Sequence, residues 1–160
     1  MIDRVALMNA IGSFVEEQWD YYKTQTAEKF PDLPDSLNIA TFSPKDEELA
    51  IPFPIVSILP DNSPKEEYIG GKGGNIFECS VTMFQLSNYQ GESNDILLHF
   101  ANAMALNIPK RIKVTMFDPE SSSDVEKPVM INLIGETYNL KSYGQESLLY
   151  SVEMKIRARL

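Results

Sequence analysis

Leu148-Leu149-Tyr150-Ser151-Val152-Glu153-Met154-Lys155-Ile156-Arg157-Ala158-Arg159-Leu160 is the stretch that decides the fold. Leu148, Tyr150, Val152, Met154, Ile156 and Ala158 alternate with Ser151, Glu153, Lys155, Arg157 and Arg159. A period of two sends successive side chains to opposite sides of an extended backbone, so this is a strand with one apolar and one charged face. Two more strand patterns precede it. Residues 129–138 are mostly apolar in their first half, and residues 111–117 alternate Ile112, Val114 and Met116 against Lys113 and Thr115. Three consecutive strands with no helical pattern between them form a meander of antiparallel pairs, because parallel neighbours require a long crossover. That favours an α+β fold over a doubly wound parallel sheet.

Upstream, residues 2–29 read as a long amphipathic helix. Leu7, Met8, Ile11, Phe14, Val15, Trp19 and Tyr22 share one face, and Asn9, Ser13, Glu16 and Asp20 lie opposite. Asp3 in its first turn suits the helix dipole, and Pro31 and Pro34 stop it. A short strand is expected within residues 37–42. A second lies in Ile51-Pro52-Phe53-Pro54-Ile55-Val56-Ser57-Ile58-Leu59-Pro60, where the prolines imply an edge position or sit at the strand ends. Phe77, Cys79, Val81 and Met83 alternate with Glu78, Ser80 and Thr82 in a third. A shorter helix over residues 95–106 begins at Ser93, Asn94 and Asp95, a cluster of capping residues. Ile96, Leu97, Phe100, Ala101, Ala103 and Met104 form its apolar face. The expected architecture is one domain over residues 1–160, with both helices packed on a mostly antiparallel sheet. Flexible polar loops are expected at about residues 61–75 and 118–128.

Composition narrows the function classes. The 160 residues carry 14 Lys plus Arg against 23 Asp plus Glu, a net charge of −9, which disfavours binding DNA by neutralising its phosphates. One cysteine, Cys79, forms no intramolecular disulfide, and one histidine, His99, supplies no His/Cys metal cluster. Neither a signal-peptide pattern nor a membrane-length apolar run is visible, and with a single cysteine the expected location is a reducing cytoplasm.

The candidates for chemistry are few. Cys79 shares the phase of Phe77 and Val81 and points into the core, whereas His99 lies opposite Phe100 and Met104, so they do not form a nucleophile–base pair. Gly70-Gly71-Lys72-Gly73-Gly74 departs from a phosphate-binding loop, because Lys72 is followed by glycine and the segment leads into a strand. Its backbone freedom suits a segment that orders against a partner. The acidic groups Glu16 with Asp20, Asp46 to Glu48, and Glu66 with Glu67 lack the apolar flanks that raise a carboxyl pKa for acid catalysis. No catalytic residue, cofactor or metal site is expected. Lys155, Arg157 and Arg159 read as a solvated face, as protection of a sheet edge, or as a charged contact between subunits. Residues 1–48 hold ten acidic and four basic residues, a local −6, while residues 141–160 hold two and four, a local +2. Glu16 and Asp20 of one copy would then face Lys155, Arg157 and Arg159 of the next, opposite charge to opposite charge.

The order of elements resembles that of the lambda-type tail terminators, the tail completion proteins of tailed bacteriophages. The resemblance rests on the long first helix, the proline-framed Ile51-to-Ile58 segment and the glycine-bearing loop. It continues through a strand from Phe77 to Tyr89, the helix at Asp95–Leu106 and the closing strands. It implies a small α+β virion protein, assembled in the host cytoplasm as a hexameric ring. That ring would cap the tail tube and meet the head-side connector, with Gly70 to Gly74 as a docking loop. DNA would slide through without specific binding, for which an acidic lumen is better than a sticky basic one. Another head–tail joining protein is the nearest rival. A cytoplasmic ligand-binding or regulatory α+β module, with the glycine loop as a lid, is the alternative of a different class.

Overall fold

Asp3 starts the first helix from just outside it, its carboxylate accepting a hydrogen bond from the Val5 amide at 2.8 Å. An N-terminal amide that the helix leaves orphaned is satisfied in this way. The structure, a computed structural model, describes residues 3–29, 33, 35, 37–40, 55–62, 65–66, 74–88, 95–143 and 147–159. Its elements run α1 (Arg4–Thr26), β1 (Asn38–Ala40), β2 (Ile55–Asn62), β3 (Lys65–Glu66), β4 (Gly74–Asn88), α2 (Asp95–Leu106), β5 (Lys110–Asp118), β6 (Ser123–Tyr143) and β7 (Ser147–Arg159). Strand order is β1-β2-β4-β7-β6-β5, with β3 pairing the start of β4. All pairs are antiparallel except β1 with β2. The fold is α+β.

One core holds the two helices on the sheet. Leu7, Ile11, Phe14, Val15, Trp19 and Tyr22 of α1 and Leu97, Phe100, Ala101 and Met104 of α2 are buried. They meet alternate residues of the strands, among them Ile58, Val81, Val114, Ile131 and Met154, each with no exposed surface. The Trp19 and Phe100 rings make an edge-to-face contact at 5.1 Å, and Tyr22 stands 5.7 Å from both. Gln18 is buried too, and its side-chain oxygen accepts from the Asn107 amide just past α2. A polar pair therefore fixes where α2 ends against α1, a detail that the apolar pattern alone does not carry.

Helix α1 lies between the two ends of the sheet. On one flank, a side chain at Gly12 would sit 3.6 Å from Ile58 Cδ1 and 3.8 Å from Ile39 Cγ2. On the other, Lys110 at the start of β5 reaches 5.3 Å over the Phe14 ring and 3.7 Å from Glu17 Oε2. The sheet curls around the helix, as right-handed strand twist allows.

Several expectations need correction. Residues 118–128 form no flexible loop: Asp118 pairs with Ser123, and the ladder continues to Lys113 opposite Pro128. The segment reads as loop because nothing from Thr115 to Pro128 is buried, and a ladder held by backbone hydrogen bonds beyond the core imposes no apolar period. Pro128 is tolerated because β7 pairs β6 only from Met130 onward, leaving one side of β6 open at that point. The 61–75 loop is narrower than expected, since Asp61 and Asn62 belong to β2 and Lys65–Glu66 pairs with Gly74 and Asn75. In β2, Pro60 sits at a register shift, and the strand lies between β1 and β4. The capping residues Ser93 and Asn94 and the acidic run 46–48 lie outside the described residues.

The β5–β6 turn is built by Asp118. Its carboxylate accepts from the Ser121 hydroxyl at 2.8 Å and from the Glu120 and Ser121 amides at 3.4 and 3.3 Å, while Ser122 takes a left-handed φ of 53°. The Ser121 hydroxyl bond is the main reason that the Asp118 carboxyl titrates below its ordinary value of 3.8. A carboxyl depressed on folding stabilises the fold above its unfolded pKa, and loses that contribution as pH falls through the lower folded value. Acidification from pH 5 to below the ordinary carboxylate range is therefore expected to speed deuterium exchange at the Ser121 amide, after correction for intrinsic rates, before the core amides respond. Simultaneous loss of core protection would count against this local account.

Candidate functional site

The thiol and imidazole are separated as the sequence implies. Cys79 is buried in β4, across from Ile156 of β7. His99 is exposed on α2, its Nε2 3.4 Å from Lys29 Nζ. Among the described residues no group of three His, Cys, Asp or Glu side chains could hold a metal ion. None of the described helices is long and apolar enough to cross a membrane.

The candidate contact residues occupy opposite outer faces. Glu16 and Asp20 are exposed on the side of α1 turned away from the core, and Asp20 lies 3.4 Å from Lys23. Lys155, Arg157 and Arg159 alternate with the buried Met154, Ile156 and Ala158, so they project from the sheet face opposite the helices. Edge protection does not describe them, because β7 is paired on both sides by β4 and β6. Arg157 is already engaged within its own chain. Its Nη2 and Nε lie 2.6 and 2.8 Å from Oε1 of Glu78, directly across the β4–β7 ladder. Of the candidate docking residues, Gly74 begins β4, and Gly70, Gly71, Lys72 and Gly73 lie outside the described residues.

Two concavities lie among the described residues. A pocket of about 290 Å³ lies where Leu97 and Leu98 of α2 meet Tyr138 and Asn139 of β6 and Tyr150, Ser151 and Val152 of β7. Tyr138 donates its hydroxyl proton to Glu136 at 2.7 Å, and this bond to a carboxylate raises the phenol pKa above its ordinary 10.0. The pocket falls at the small end of the range for ligand sites, about 300–1,000 Å³.

The larger concavity, about 460 Å³, separates the N-terminal half of α1 from β5 and the β5–β6 hairpin. Asp3, Val5, Ala6, Asn9, Ala10 and Ser13 form the helix wall, facing Lys113, Thr115, Met116, Phe117 and Asp124. Val5 and Phe117 are 65% and 60% exposed. The sequence carries one trace of it: Ala6, Ala10 and Ser13 repeat at helical spacing beside the core face. That trace does not reveal that α1 runs beside a sheet edge, which is a tertiary fact. No protein-family model and no curated protein matches the chain.

Proposed function

We propose that this chain is a structural subunit of the tail-terminator kind, one that assembles head to tail with copies of itself into a ring on the end of a tube. The observation that carries the reading is the separation of charge across the subunit. Glu16 and Asp20 face outward from the helix layer, and Lys155 and Arg159 face outward from the sheet layer, where Arg157 is paired with Glu78 of its own chain. Groups on opposite outer faces cannot neutralise one another within one copy, but they can between copies in a heterologous contact that closes on itself. Another head–tail joining component would use the same contact. The ligand-binding alternative is favoured by the pocket under Leu97 and Tyr138.

Exposed ion pairs contribute only about 0.2–1 kcal/mol each, so assembly by this contact is sensitive to salt and to charge reversal. Light scattering at low ionic strength is expected to give a multiple of 18.1 kDa, near six copies, that falls as salt is added. Lys155→Glu with Arg159→Glu should return the protein to monomer, and adding Glu16→Lys with Asp20→Lys should restore the larger species. A monomer at every salt concentration, both alone and with tail tubes, would remove this reading.

A further inference from the structure

The groove between α1 and β5 combines two features. Strand β5 ends the sheet, and no described strand pairs its outer side. Its backbone N–H and C=O groups on that side form a template on which another extended chain can pair. Natural sheets often cover such an edge with a helix, and α1 does so at the Lys110 end, where Phe14 and Glu17 close on β5. From Lys113 to Phe117 the cover fails. The helix presents Ala6, Asn9, Ala10 and Ser13, and about 460 Å³ remains open between the two walls.

We infer that this groove binds an extended segment of a partner protein as an added strand on the β5 edge. Main-chain hydrogen bonds to β5 would supply register, and alternate side chains would fill the space over Ala6 and Ala10. The rim sets the charge of that segment. Asp3 and Asp124 stand on the two walls, while the Lys113 ammonium lies 3.1 Å from Glu126 and is offset by it. The acidic remainder favours lysine or arginine at the segment's outward positions, with apolar residues between them. A second copy of this chain fits poorly. Pairing β5 with β5 would force the two flanking α1 helices, each packed against its own β5, together. The span from Lys113 to Phe117 takes about five residues at ~3.4 Å each. This inference stands on the groove and does not require the ring.

The test uses the full chain and a fluorescein-labelled, end-capped peptide, Lys-Val-Thr-Val-Lys-Val, with a counterpart carrying glutamate for lysine. The lysine peptide is expected to bind saturably by anisotropy and to slow amide exchange in residues 113–117. The glutamate peptide should bind at least tenfold more weakly. Asn9→Trp, an exposed position that fills the groove, should weaken binding at least tenfold while leaving the thermal midpoint in place. Asp124→Lys should reduce the preference for the lysine peptide. The inference is overturned by absence of saturable binding, by equal binding of both peptides, or by binding indifferent to Asn9→Trp. A doubling of mass that Asn9→Trp abolishes would assign the groove to a second copy and overturn it as well.

Discussion

Trp19→Ala is expected to remove about 3–5 kcal/mol of stability, the range for truncating a large aromatic in a packed core. Trp19 is 1% exposed, and its ring is held by Phe100 at 5.1 Å and Tyr22 at 5.7 Å. These three rings are where α1 meets α2, so the cavity opens at the junction of both helices rather than within one of them. The surroundings cannot easily collapse into it, because Gln18, next to Trp19, is tied to Asn107 at the far end of α2. For a domain of this size each kcal/mol shifts the thermal midpoint by about 2–4 °C, so a fall of roughly 6–20 °C is expected by circular dichroism. Trp19 is the only tryptophan, so tryptophan fluorescence cannot follow the variant. Trp19→Phe keeps an edge-to-face partner for Phe100 and should cost less than half as much. Equal losses for the two variants would show that ring packing is not what joins the helices.

The sequence made the layer arrangement legible because burial imposes a period wherever an element touches the core. The alternation in 148–160 and 77–83 and the seven-residue face of the first helix all report burial, and the structure buries them accordingly. Met8 and Tyr150 are partial exceptions, packed against the rim of the core, and at the start of β7 the phase slips, with Leu149 buried and Leu148 only half-buried. What remained hidden has no such period. Residues 123–128 pair with β5 yet bury nothing, and their Ser/Asp/Glu character reads as loop in any local window. The position of β7 between β4 and β6 is a matter of partner choice, which alternation does not encode. The groove beside α1 depends on which strand ends the sheet, so its small residues gain meaning only in three dimensions. The charge asymmetry was legible in the sequence. The internal pairing of Arg157 required the register that sets it opposite Glu78.

That pairing yields the second large expected effect. Glu78 is 13% exposed and Arg157 33%, so their contact is shielded on the carboxylate side and open on the guanidinium side. Arg157→Met strands a largely buried carboxylate. It is expected to cost about 2–3 kcal/mol, below the 3–5 typical of a fully buried pair because water still reaches the site. Glu78→Leu leaves an arginine whose long stem can carry its charge outward, so it should cost about 1 kcal/mol or less. The double variant, with two apolar side chains facing each other across the ladder, should recover most of the loss. The coupling in a urea-denaturation double-mutant cycle is then expected to exceed about 1 kcal/mol. Additive losses would show that the two groups act independently despite the 2.6 Å contact. The cycle also bears on assembly. Arg157 spends its charge inside the subunit, so its removal should lower stability before it alters mass in light scattering. If Arg157→Met dissociated assemblies at unchanged stability, the arginine would belong to the contact between copies and the Glu78 pair would be incidental.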